Sequence, residues 1–281
     1  MKSATMSPEA TPTPVARPRS VAAPVPSHAV RSRQFAEHVL LPALVVVLLL
    51  VVWEVAVRAL NVPENLLPAP GVIGQRIVDA WPNLVDNAIP TTLQTIESFV
   101  LATVLGVVIA AALTSFRLLN SAFYPIVVFF QLIPKVALAP LFVVWMGIGA
   151  AARIEFGVFI AFFPVVVSTM AGLRGTPADA LRLCRGLGAS RLQIFGLVRL
   201  PYALPHIFSG MKVAMTLAMI GVIVAEFISA QAGLGYLIVF ASSQADTALI
   251  LAAILFLCVI GLVLYGAVAL AEKAATRLYG A

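Results

Sequence analysis

Apolar positions along this chain fall in long, nearly unbroken runs rather than in the one-sided stripe of a soluble helix. Six such runs predict helices near 39–60, 91–114, 122–147, 153–173, 207–230 and 248–271. A hydrocarbon core roughly 30 Å thick needs about 20 apolar residues in a helix, and each run meets that length with tilt. The intervals between them are rich in turn residues. Leu67-Pro68-Ala69-Pro70-Gly71 reads as a rigid turn, and Ile73, Ile77, Val78 and Trp81 after it predict a short amphipathic helix lying at an interface. Gly233-Leu234-Gly235-Tyr236 is a glycine-rich turn, open to two readings: a re-entrant segment or an ordinary loop.

One interval, 174–205, is polar for longer than a connection needs. Thr176-Pro177-Ala178-Asp179 reads as an N-cap, a first-turn proline and a third-position acid. Gly188 can close that helix in a left-handed conformation, Ser190 with Gln193 makes a capping box for the next, and Pro201 limits it. Leu181, Cys184, Leu192 and Phe195 are expected to line one side of this helix pair, with Arg182, Arg185, Arg191 and Arg199 on others. Such a surface suits docking into a soluble partner's groove. The alternative is an arginine-rich loop that only fixes topology.

Composition agrees with lipid as the main solvent. The 281 residues are 61% hydrophobic and the mean hydropathy is +1.03, far outside the soluble range. A net charge of +6 brings nucleic acid to mind, yet no basic stripe carries stacking aromatics. Topology accounts for the charge better. With the N-terminus inside, thirteen Lys and Arg residues fall on cytoplasmic segments and three, Arg58, Arg76 and Arg153, outside. Residues 1–38 form a basic, Pro/Ala-rich cytoplasmic tail that cannot bury a core, followed by a membrane domain over 39–281. The first apolar run is too long for a signal peptide and should stay as an anchor. Cys184 and Cys258 are placed too differently to pair, and His28, His38 and His206 lack metal-ligand spacing.

Polar residues inside the runs are the candidates for function. Lys135, in Gln131-Leu132-Ile133-Pro134-Lys135, costs about 2.5–3.5 kcal/mol at a helix centre on insertion scales, so it should face protein or water. Pro134 and Pro140 interrupt the same helix. Glu226, late in the fifth run, is the natural opposite charge: it could pair with Lys135, line a route with Gln131 and Lys135, or lie at an interface. Glu54 and Glu97 read as interfacial. Gly106, Ala110, Gly221, Gly261 and Gly266 would allow close helix contacts. No catalytic set, HExxH motif or phosphate-binding Gly-Lys-Ser/Thr loop is present, so the chain is not read as an enzyme and any ATP motor must be another chain.

Gly188, nine residues, then Val198-Arg199-Leu200-Pro201 resembles the cytoplasmic signature of binding-protein-dependent ABC-type permeases, with Arg182-Leu183-Cys184 standing where the family has Glu-Ala-Ala. Leu67-Pro68-Ala69-Pro70, Pro134-Lys135-Val136-Ala137-Leu138-Ala139-Pro140-Leu141, Trp145-Met146-Gly147-Ile148-Gly149, Phe162-Phe163-Pro164, Gly172-Leu173, Ala225-Glu226-Phe227 and Gly233-Leu234-Gly235 follow in the order of the nitrate/sulfonate/taurine type. Pro134-Lys135-Val136-Ala137, Gly210-Met211-Lys212-Val213-Ala214 and Thr216 look more like its branch for thiamine pyrimidine precursors and riboflavin. The resemblance implies an all-α inner-membrane permease of six spans, paired with a second permease subunit as a homodimer. It also implies a cytoplasmic ATPase dimer carrying ATP and magnesium, an external substrate-binding protein, and Arg182, Leu183, Cys184, Gly188, Leu200 and Pro201 as the ATPase-coupling residues. The rivals are a proton-coupled secondary transporter relaying charge through Lys135 and Glu226, and a membrane assembly factor without transport.

Overall fold

Helix after helix is what these runs build, and no strand occurs among the described residues. The computed structural model describes residues 40–115, 117–229 and 231–279, so the expected 1–38 tail lies outside the described residues. The chain divides into two units, Met1–Val52 and Trp53–Ala281. Helix α1, Leu41–Ala59, begins in the first unit and ends in the second. The second unit continues through α2 (Pro70–Asp79), α3 (Trp81–Ser115), α4 (Arg117–Leu132), a 3₁₀ turn (Lys135–Leu138), α5 (Ala139–Met146) and α6 (Ala150–Arg174). It ends with α7 (Ala178–Gly186), α8 (Arg191–Ile194), a π turn (Phe195–Arg199), α9 (Leu200–Ser229), α10 (Leu234–Ser243) and α11 (Thr247–Tyr279).

Among the described residues five helical runs are long and apolar enough to cross a membrane, and one bent pair brings the number to six when counted as a single broken span. That pair corrects the expected single helix over 122–147. Ser121–Leu132 and Lys135–Met146 meet at 86°. Pro134 has no N–H to give the helix and pushes Ile133 away from helical angles, so the chain turns there.

Other boundaries move outward. Helix α3 starts at Trp81, ten residues before the expected start, with Pro82 in the first turn, where a missing N–H costs nothing. Leu84, Asn87, Thr91, Gln94, Ser98, Ala102, Gly106 and Ala110 form its buried stripe, at helical spacing throughout. Glu97 therefore lies mid-helix and exposed, not at an interface before a span. The expected amphipathic helix is α2, which buries Ile73, while Trp81 opens α3 and meets Phe256 edge to face at 5.4 Å.

Helix α6 is the most buried of the long helices, and α9 and α3 pack along it. Small residues set how closely. A Cβ on Gly221 would lie 2.8 Å from Gly157 Cα, and one on Gly157 would lie 2.5 Å from Ser98 Oγ. The three backbones thus meet at one level, as in small-residue contacts between membrane helices. Gly106 faces Val165 as tightly and Ala110 is buried, but Gly266 has open space around it and makes no such contact.

Candidate functional site

Glu226 sits near the C-terminal end of α9 and is 1% exposed. Thr91 Oγ1 lies 2.8 and 3.1 Å from its two carboxylate oxygens, and the Gly235 backbone N–H donates to Oε2 at 2.8 Å. Two neighbouring N–H groups are met in the same way. Leu234 N–H donates to Thr91 Oγ1 at 2.8 Å, and Gly233 N–H to Asn87 Oδ1 at 2.9 Å. Asn87 is held in turn by donating Nδ2 to Asn83 O at 2.8 Å and to Asn83 Oδ1 at 2.7 Å. Three successive backbone donors at the start of α10, which its own turns cannot satisfy, are thus taken by side chains of α3 and α9. A carboxylate at a helix N-terminus also has the favourable sign.

Glycine is required at this knot. Gly233 has φ +118, and a Cβ there would fall 2.2 Å from Glu226 Oε1; one on Gly235 would fall 2.7 Å from Glu226 Cβ. Of the two readings of Gly233-Leu234-Gly235, an ordinary loop is therefore set aside. The segment is the tightly packed entry to a ten-residue apolar helix that buries Leu234, Leu237 and Ala241.

Lys135 lies elsewhere. Its Nζ is 4.8 Å from the centre of the Phe163 ring, a cation–π contact. Phe163 is itself stacked on Phe130 at 5.7 Å and edge to face with Phe159 and Phe162. The ion pair envisaged between Lys135 and Glu226 is absent: no salt bridge joins them among the described residues, because α9 hands its carboxylate to α10 instead. Gln131 is exposed on the last turn of α4.

At the opposite end of α9, 174–201 follows the expected plan with three corrections. Gly188 takes φ +76, and Ser190 and Gln193 complete a capping box, with Ser190 N–H donating to Gln193 Oε1 at 2.8 Å. Thr176, however, donates Oγ1 to Leu173 O and closes α6; Pro177 is the N-cap of α7 and offers no side-chain bond. Pro201 does not limit its helix. The π turn Phe195–Arg199 precedes it, loosening the hydrogen-bond ladder where the proline cannot donate, so Arg191–Ser229 runs on as one helix. Leu181, Cys184 and Phe195 are half-buried together as expected, but Leu192 points away. Leu183, Leu187, Leu192 and Leu197 are 65, 78, 83 and 77% exposed. Arg182 is exposed and 3.9 Å from Asp179, and Leu200 and Pro201 are half-buried.

The three arginines assigned to the other side of the membrane are all held. Arg58 bonds Glu54, Arg76 bonds Asp246 through Nε and Nη2 at 3.0 and 2.6 Å, and Arg153 donates to Gln94 Oε1 at 2.8 Å. Asp246 also caps α11, accepting from Leu249 N–H at 2.9 Å. Lys212 pairs with Glu272 at 2.8 Å across α9 and α11. Sequence reading missed Asn83, Asn87 and Thr91. Their signal was the spacing of four in a polar stripe, invisible while the helix was started at residue 91.

The family described as "Binding-protein-dependent transport system inner membrane component" matches residues 102–277. A probable ABC transporter permease protein of Haemophilus influenzae is 35% identical over 224 residues, covering 80% of this chain and 91% of that one. The formylaminopyrimidine transport permease protein ThiX of Halalkalibacterium halodurans is 33% identical over 228 residues, covering 81% and 91%. An inward-facing structure of the MetNI methionine ABC transporter shares the fold, with TM-score 0.63 and 21% identity, over 71% of this chain and 99% of that one. These matches give the secondary-transporter reading no support. The chain belongs to the binding-protein-dependent inner-membrane component family and is the permease component of an ABC importer.

Proposed function

We propose that the 174–205 segment lies in the cytoplasm and receives the stroke of a separate ATPase dimer that binds ATP and magnesium, through Arg182, Leu183, Cys184, Gly188, Leu200 and Pro201. One observation carries this reading: a capped helix–turn–helix holds four leucines outward at a place where the chain itself offers them nothing to bury against. Exposed apolar groups in a polar rim mark a protein-docking surface. The permease works as a homodimer whose substrate arrives on an external binding protein. Both termini are cytoplasmic, a reading that the thirteen-to-three distribution of basic residues supports. The cargo is a small heterocycle of the pyrimidine-precursor or riboflavin kind; the formylaminopyrimidine permease relative and the Pro134–Ala137 motif both support this over a sulfonate or nitrate anion. The translocation pathway passes Gln131 and Lys135, while Glu226, 1% exposed and bonded to the start of α10, stands behind it.

Two measurements test it. Gly188→Val has room for its side chain but not for its φ, so the turn must shift. The variant should insert normally, keep ATP hydrolysis in the assembled complex and lose most substrate-stimulated transport; full coupled transport would overturn the assignment. In a Cys258→Ser background, an impermeant maleimide should label Cys184 only from the cytoplasmic face. Labelling from outside in intact cells would reverse the orientation and remove the coupling role with it.

A further inference from the structure

A cavity of about 1070 Å³ opens between the C-terminal end of α3 and the α7–α9 turn. Arg185, Arg191 and Arg199 line it, and no acidic side chain lies within salt-bridge distance of any of the three among the described residues. Arg199 is half-buried, and its Nε is buried without a hydrogen-bond partner in the protein. An unmet guanidinium donor is costly in such a place, and the cost disappears when an anion accepts from it. Arg174, Thr114 and Ser115 add further polar groups to the lining, and Leu181, Phe195 and Ala112 give it an apolar wall. Among the other described residues of the second unit, the half-buried cations Arg76, Lys212, Arg153 and Lys135 have found a carboxylate, an amide or a ring. The half-buried Arg199 leaves its Nε unmet, with the exposed Arg185 and Arg191 beside it on the same cavity.

We propose that this cavity is a phosphate-binding site, in which Arg185, Arg191 and Arg199 grip one phosphate group while the apolar wall accepts the part of the ligand nearest to it. Guanidinium groups match phosphate oxygens in pairs of parallel bonds, and three convergent arginines exceed what a single carboxylate would need. The cavity lies where α3 and α6 end and the apolar runs give way to polar chain, which is the depth of a lipid headgroup. The same chemistry is offered by a soluble phosphate ester, and the test separates the two. The site is separable from the ATPase-docking reading: of the outward leucines only Leu192 lines the cavity, and none of the three arginines is among the coupling residues.

The full-length permease, purified in neutral detergent, is titrated with phosphatidylglycerol or phosphatidylcholine and its bound lipids are counted by native mass spectrometry. One phosphatidylglycerol per chain should be retained with about tenfold preference, and Arg191→Gln/Arg199→Gln should abolish that preference. Arg58→Gln, far along the chain and already paired with Glu54, should leave it intact. Inorganic phosphate and glycerol 3-phosphate at millimolar concentration form the second arm. If they displace the lipid and raise the melting temperature, the proposal holds with a soluble ligand; if only the lipid is retained, it holds with a headgroup. Equal retention of the two lipids without phosphate stabilisation overturns it. So does preference undiminished in a double variant that melts like the wild type, or loss of the lipid whenever the ATPase is added, which would make the cavity a protein contact. Should the double variant fail to fold, Arg191→Gln alone, on an exposed residue, is read by the same ratio and should lower it several-fold.

Discussion

The two ends of α9 handle the same problem in opposite ways. At both, a glycine in positive φ precedes a helix whose first N–H groups need acceptors. At the far end, Gly233 is locked: Asn87, Thr91 and Glu226 arrive from two other helices to cap α10, and no space remains for a methyl group. At the near end, Gly188 stands in open space and the cap is local, one serine and one glutamine three residues apart. Glu226 and Leu200 are separated by 26 positions, about 40 Å of helix. One end is built to stay put, the other to be handled by something outside the chain. A permease needs both, because a stroke delivered to a turn moves the far end of a helix only when that helix is anchored in the rest of the fold.

The sharpest way to break the comparison is to add one methyl group to each glycine. Gly233→Ala places Cβ 2.2 Å from Glu226 Oε1 at φ +118, so Glu226 must leave its two donors, the Thr91 hydroxyl and the Gly235 N–H, or the backbone must move. A loss of about 3–5 kcal/mol is expected, seen as failure to accumulate or as unfolding at much lower temperature. Gly188→Ala meets only the backbone penalty, roughly 1–2 kcal/mol. Equal losses at the two sites would show that the far knot is no tighter than the near turn.

Removing the carboxylate sharpens the same point at slightly smaller cost. Glu226→Ala leaves the Gly235 N–H without its acceptor in a buried place and turns the Thr91 hydroxyl back to the longer bond with Asn87 O at 3.2 Å, which costs about 2–4 kcal/mol. Glu226→Gln keeps one acceptor oxygen and should lose less than half of that. Since Gly233→Ala harms chiefly through Glu226, the double variant Gly233→Ala/Glu226→Ala should be more stable than the sum of the single losses predicts. Strict additivity would mean that the two residues do not share one site.

How much of this was readable from the sequence follows the same division. The near turn is local: Gly188, Ser190, Gln193 and the leucine-proline pair lie within fourteen residues, and short-range rules for caps and turns yield the turn's outline from the chain alone. They failed at Pro201, where a π turn lets a helix absorb a proline that usually ends one. The far knot is assembled from residues up to 146 positions apart. No cap rule connects Asn87 with Gly233, so the polar stripe on α3 went unread and Glu226 was offered Lys135 as its partner on charge alone. The fold class was legible because lipid leaves so few options for a backbone. The bend at Pro134 was half legible: the proline was noted, but the length of an apolar run does not tell a straight crossing from a broken one.

The smallest effect tests what holds Lys135. Were it tied to Glu226, removing either would strand the other and the two substitutions would be strongly non-additive. The structure places its ammonium over the Phe163 ring instead, with Glu226 committed to α10. Lys135→Met keeps the length of the side chain and much of its apolar contact with the aromatic cluster, so a stability change of only about 1 kcal/mol is expected. Phe163→Leu should cost more, because it also unstacks Phe130, and adding Lys135→Met to it should cost almost nothing further. In a double-mutant cycle with Glu226→Gln, by contrast, the losses should add to within about 0.5 kcal/mol. Coupling beyond that would mean the two charges meet in another conformation of the transport cycle. In that case Lys135 would belong to the moving part of the molecule rather than to its aromatic packing. Transport normalised to assembled complex decides between those two roles: Lys135→Met unchanged by that measure leaves the lysine structural.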